Sequence, residues 1–188
     1  MLLLIAGLVL FIGVHLLTTA RDTRAALMAR FGEGPYKGLY SLVSALGLVL
    51  IVWGYGRYRS SGYIPVWDPP SGLLPITLIL MWFSFVALVA TYAPAGKIKG
   101  PLRHPMLVGI KAWALAHLLV NGDLGSIILF GAFLAWAVVD RIAVKRRGDA
   151  GAPRSGFTAG DAVSLIAGSA AYAVMFWLHP WVIGVPIV

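Results

Sequence analysis

Cysteine is absent from this chain of 188 residues, and charge is scarce. The missing thiol excludes disulfides, thiolate nucleophiles, zinc fingers and cysteine-held iron–sulfur clusters. Only 12% of the residues are charged and 60% are hydrophobic, where a soluble domain has about 25% and about 45–50%. Mean hydropathy is +0.86. A soluble globular enzyme and a disordered chain are both excluded. Also missing are a Gly-x-Ser-x-Gly elbow, a phosphate-cradling glycine loop, a dinucleotide fingerprint, a fixed-period repeat and any low-complexity tract.

What is present is oil in runs. A membrane-crossing helix needs about 20 mostly apolar residues, with a range of about 17–25. Six stretches approach this: Leu2–Ala20, Gly38–Gly56, Leu73–Ala93, Pro105–Val120, Leu124–Val139 and Ala162–Ile183. The fourth and fifth are slightly short, and Asn121-Gly122-Asp123 makes a tight polar turn between them. The expected fold is a single all-α bundle of about six transmembrane helices covering 1–188. Met1 is followed directly by Leu2-Leu3-Leu4, and Arg21, Arg24 and Arg30 come only after the first run. A cleaved signal has its positive charges first, so this order predicts a retained helix.

The net charge of +8 and the pI near 10.1 act as an orientation signal. Twelve of the 15 lysines and arginines fall in the three odd loops. They are Arg21, Arg24, Arg30 and Lys37; Lys97, Lys99 and Arg103; and Arg141, Lys145, Arg146, Arg147 and Arg154. Loop two holds only Arg57 and Arg59, and Lys111 lies inside the fourth span. The odd loops are therefore expected in the cytoplasm and both termini outside, in the periplasm. Trp53, Tyr55, Tyr58, Tyr63, Trp67, Trp177 and Trp181 would form an outer aromatic belt. The basic loops also touch anionic lipid. None is long enough to fold as a nucleic-acid module, so the partner is the bilayer and not nucleic acid.

Polar groups at membrane depth mark function, because they are costly there. No carboxylate lies deep: Asp22, Glu33, Asp68, Asp123, Asp140, Asp149 and Asp161 all fall in loops or at span ends. This argues against a carboxylate proton pump or a paired-carboxylate hydrolase. Ser41, Ser44, Ser84, Ser126, Ser164, Ser169 and the run Ala167–Ala171 read as helix-packing positions. That leaves His15, His104, Lys111, His117 and His179. Gly109, Trp113 and His117 are spaced by four and share a helix face; His104 and Lys111, seven apart, share another. Membrane histidines without cysteine or deep carboxylate point to a haem held by imidazoles from facing helices. His15 lies about 9 Å beyond Arg21 along its helix, while His104 and His117 lie about 1.5 Å and about 21 Å beyond Arg103. Depth leaves the partner of His15 open and leans slightly to His104. Lys111 either snorkels to the cytoplasmic face or meets a haem propionate. His179, within Trp177–Trp181, reads as an outer interfacial residue.

These residues form a recognisable set. His15, Gly32-Glu33, Tyr36–Ser41, Trp67-Asp68-Pro69-Pro70, Arg103-His104-Pro105 and Trp113–His117 leading to Asn121-Gly122-Asp123 are the marks. Through them the chain resembles, over nearly its whole length, the NnrU family of six-span membrane proteins. That family includes the 15-cis-zeta-carotene isomerases of plants and cyanobacteria. The resemblance implies a b-type haem with axial histidines at His15 and His117 and an important His104, with Arg103, Lys111 and Trp113 around the cofactor. It implies a redox-gated cis–trans isomerisation of an apolar polyene or isoprenoid. There the iron polarises a double bond, the protein supplies an apolar slot and a separate electron donor reduces the metal. Ala114 stands where the isomerases carry a cysteine, and their longer N-terminal extension is missing. Both departures place the chain nearer the bacterial branch, expected in the inner membrane. That branch is named for a link to nitrite and nitric oxide metabolism, so a haem sensor or electron relay in denitrification is the alternative. Arg-His-Pro with Gly109 also resembles the isoprenylcysteine carboxyl methyltransferases, but the acidic pair expected downstream is absent.

Overall fold

The structure is a computed structural model, and it describes residues 1–185 and 187. Its helices run α1 (Leu2–Leu16), α2 (Arg21–Phe31), α3 (Glu33–Ser60), α4 (Leu74–Tyr92), α5 (Lys99–Leu102), α6 (Pro105–Val120), α7 (Leu124–Arg146) and α8 (Ala159–Ile183). A short 3-10 turn, Ser71–Leu73, leads into α4. Among the described residues there is no strand, only an isolated antiparallel bridge between Pro65 and Asp123. Four helices (α3, α4 with its lead-in, α7 and α8) are long and apolar enough to cross a membrane. With the apolarity of the whole chain, they make this a membrane protein.

The first expected span differs. α1 stops at Leu16, because Thr18 and Thr19 turn their hydroxyls back onto the His15 and Leu16 carbonyls, each at 2.6 Å. Such local bonds compete with helix continuation. The chain then bends by 89° into α2, and only the bent pair together is long and apolar enough for a crossing. The expected loop 21–37 is thus α2 plus the first turn of α3. Gly32 joins them at φ +84, a conformation that costs glycine little. α6 keeps the expected bounds and, at 16 residues, is shorter than a typical crossing.

The chain forms two compact units: residues 1–69 with 121–144, and residues 70–120 with 145–188. In the first, α1 packs along α3 through glycines. A Cβ on Gly7 would lie 2.6 Å from the Ile51 nitrogen, and one on Gly47 would lie 2.8 Å from the Phe11 nitrogen. One on Gly54 would strike the Leu4 backbone. Small residues let helices approach in lipid, where dispersion contacts hold them together. α7 joins this unit through Phe133 against Phe11, ring centroids 5.5 Å apart. The 61–69 loop is tied to the start of α7: the Val66 and Trp67 amides donate to the Gly122 carbonyl, at 2.8 and 3.1 Å, and the Leu124 amide to that of Ile64 at 2.9 Å. Tyr58, expected in the aromatic belt, is instead 4% exposed. Its hydroxyl accepts the Ile64 amide at 2.9 Å, so it serves the loop rather than the interface.

In the second unit α4 lies against both α6 and α8. Ser84 donates to the Gly109 carbonyl at 2.8 Å, and Gly168 lets α8 approach the Val86 backbone. These are the packing roles expected of the serines and of the small-residue run. Asp161 organises one end. Its carboxylate accepts the Thr158, Lys97 and Ile98 amides at 2.8, 3.0 and 2.7 Å, closing a capping box at the start of α8. Lys99, counted above as a topology charge, also caps α4: its ammonium donates to the Thr91 and Ala93 carbonyls at 2.7 and 2.8 Å.

Two outcomes follow for thermal unfolding in detergent. Gly54→Leu destabilises by about 3 kcal/mol, because backbone cannot yield to a side chain; Gly56→Leu, with open space at its Cβ, leaves the midpoint unchanged. Asp161→Ala lowers the midpoint, since it leaves three part-buried amides without their acceptor at once.

Candidate functional site

His15 occupies the last turn of α1. Its Nδ1 lies 2.6 Å from the Phe11 carbonyl one turn back. A carbonyl only accepts, so Nδ1 carries the proton and Nε2 carries the lone pair. The ring stacks on Phe11, centroids 4.2 Å apart. It also meets Tyr40 and Trp136, each at 5.5 Å, the latter edge-on. The imidazole is thus fixed in tautomer by its own helix and in orientation by three aromatic rings.

His117 repeats the device on α6. Its Nδ1 lies 2.9 Å from the Trp113 carbonyl, and the Trp113 ring lies 5.3 Å from it, tilted. Aromatic-x-x-x-histidine therefore occurs twice, in Phe11–His15 and Trp113–His117, with the same result: a protonated Nδ1 and a basic Nε2. Metal-bound histidines commonly donate their other ring N–H to a backbone carbonyl, which fixes the ring and raises ligand basicity. Lys111 is half-buried on the same helix. It makes no hydrogen bond or ion pair with the described residues.

His104 is held differently. Arg103 has φ 62 and ψ −57, and the His104 amide donates to the Leu102 carbonyl at 2.6 Å. This is the rare, strained γ-turn with positive central φ. Pro105 restricts His104, the residue before it, away from the helical region. Contacts to the segment after α7 hold the strained residue in place. The Arg103 guanidinium donates to the Ala150 and Ala152 carbonyls, at 3.2 and 3.5 Å, and the Ala152 amide to the Arg103 carbonyl at 2.8 Å. His104 Nε2 donates to the Asp149 carbonyl at 3.3 Å and lies 3.9 Å from its carboxylate. A Cβ on Gly151 would collide with both the Arg103 carbonyl and His104 Nε2. Arg103-His104 thus clamps the 149–152 turn. His179 uses its Nδ1 to reach the Val185 carbonyl at 2.7 Å, closing the end of α8.

His15 belongs to the first unit; Arg103, His104, Lys111, Trp113, His117 and His179 belong to the second. The second unit joins Trp113 to His117 and, separately, Arg103 and His104 to the 149–152 turn. Sequence reasoning missed the cage of Tyr40 and Trp136 around His15, and the role of Asp149 and Gly151. The available signals were Tyr36 and Tyr40, four apart and so on one face, and Trp136 in an apolar run far from either end. Among the described residues no three histidine or carboxylate side chains gather into a metal-binding cluster.

A family model described as NnrU protein matches residues 3–187. No curated protein and no solved structure matches. The match spans nearly the whole chain, so the protein belongs to the NnrU family.

Proposed function

We propose that this protein is an integral membrane haem-b protein, in which His15 and His117 would hold the iron. One observation carries the reading. Both rings, on separate apolar helices, donate Nδ1–H to a carbonyl of their own helix and so hold the same tautomer. His104, the other ligand considered, lies at the entrance of α6 rather than inside an apolar helix, and its ring donates to the Asp149 carbonyl of the 149–152 turn, so it is read as a structural clamp. Lys111 and Arg103 are the cations available to haem propionates.

When bound, the haem would supply a redox-active iron able to polarise a double bond, which extends the reading to cis–trans isomerisation of a polyene or isoprenoid. The chain's own part is to hold each imidazole in one tautomer, to exclude water with aromatic and aliphatic side chains, and to offer apolar walls. The topology belongs to the same proposal. α1 with α2 counts as one broken crossing, and with α3, α4, α6, α7 and α8 makes six. Both termini face outside the cytoplasmic membrane, supported by the basic loops at 94–104 and 140–161.

Absorption spectra of the purified protein, oxidised and reduced, test the haem. The expected result is a red preparation with a low-spin, bis-imidazole Soret band. His15→Ala and His117→Ala each abolish that spectrum, whereas His104→Ala keeps it. A colourless preparation after haem feeding, or a spectrum lost only in His104→Ala, overturns the assignment. Reduced protein incubated with cis-polyenes should accumulate trans product. Absence of turnover over several polyenes removes the isomerase and leaves a sensor or relay. Topology is testable because the chain has no cysteine of its own. In intact cells an impermeant maleimide should label Ser61→Cys, and should label Ser155→Cys only after permeabilisation.

A further inference from the structure

The segment from Tyr63 to Trp67 is exposed, apolar and firmly held. Tyr63, Ile64, Val66 and Trp67 are 59%, 53%, 57% and 40% exposed, and no charge lies between Arg59 and Asp68. Contiguous exposed apolar surface marks a contact with membrane or protein. Two observations on this segment select the membrane.

The first is its level. On α3, Lys37 and Arg57 lie about 30 Å apart, at about 1.5 Å per residue, and a hydrocarbon core is about 30 Å thick. Between them Val49, Val52 and Trp53 are exposed. Arg57, itself exposed, therefore marks the boundary with the headgroups. The chain does not run on from there into water. It turns after Ser60 and folds back beside the end of α3, where the Ile64 amide reaches the hydroxyl of Tyr58, one residue past Arg57. The Tyr55 and Ser126 hydroxyls, 2.7 Å apart, put the start of α7 near the same level. Ile64, Val66 and Trp67 bond there to Gly122 and Leu124.

The second is its backbone. The Ile64 amide donates to Tyr58, the Val66 and Trp67 amides donate to Gly122, and Pro65 has no N–H. Residues 64–67 are exposed yet offer no amide to water. Irregular backbone near lipid needs its polar groups paired within the protein, whereas a loop in water has no such need.

We infer that the 63–67 segment is a lipid anchor. Its side chains enter the headgroup–acyl boundary of the leaflet where α3 ends, and the Arg57 guanidinium lies at the lipid phosphates. Tryptophan and tyrosine favour that layer, because their rings are amphipathic. The inference needs neither haem nor a choice of which membrane face is cytoplasmic.

Spin labels on single cysteines test it, since the chain has none of its own. Ile64→Cys and Val66→Cys are made in the full chain, labelled and reconstituted in vesicles of phosphatidylcholine and phosphatidylglycerol. Both side chains are exposed, and either variant serves if the other fails to fold. Val52→Cys is the lipid reference and Ser155→Cys the water reference. Labels at 64 and 66 are expected to collide more with oxygen than with a water-soluble nickel chelate, as the label at 52 does. Their depth should be about 5–10 Å beneath the phosphates. Greater collision with the nickel chelate, as at 155, overturns the proposal by placing the segment in water. Low collision with both overturns it by showing a protein cover. Dipolar broadening that dilution with unlabelled protein removes would identify that cover as a second copy.

Discussion

A bilayer interior offers no water to hydrogen-bond, so each polar group within it must be satisfied by the chain itself. Most of this structure follows from that constraint. The backbones of α1 and α3 approach closely where Gly7, Gly47 and Gly54 remove the side chains. The serines that look like idle polar residues bond to neighbouring backbone, as Ser84 does to Gly109 and Ser164 to Gly160. The buried carboxylates sit at helix starts, where amides lack intrahelical partners. Asp161 serves α8, and Asp123 serves α7 by accepting the Ser126 amide and hydroxyl.

The same rule explains the histidines. An imidazole in lipid must place one N–H, and the carbonyl one turn back is the nearest acceptor. Using it sets the tautomer and leaves Nε2 as the basic atom at both His15 and His117. His104 lies in the strained turn between α5 and α6, where the 149–152 segment supplies an acceptor instead. A residue held in a sparsely populated conformation costs about 1–3 kcal/mol and persists only where its surroundings over-determine it. Arg103 meets that condition through its bonds to Ala150 and Ala152.

Against this background the unpaired groups stand out. Tyr36 and Trp136 keep a buried O–H and a buried N–H without a partner, and both belong to the aromatic surroundings of His15 and Tyr40. Among the described residues the other unpaired buried donors are on Arg147, whereas these two share the aromatic neighbourhood of a candidate metal ligand.

Hydropathy runs and flanking charge determined much by themselves: a membrane protein, and helices at α3, α4, α6, α7 and α8 close to their expected bounds. Local signals suffice there, because apolarity over about 20 residues is a property of the segment alone. The family marks were legible for the same reason. Tertiary structure alone decided the break after Leu16, the burial of Tyr58 and the pinning of His104 by Asp149. Each depends on which distant group satisfies a polar atom or fills a space, and spacing along the chain carries no record of that partner. The absent cysteine gained meaning in the same way. Sequence removed the thiolate, and the fold then presented two imidazoles with the same nitrogen kept basic.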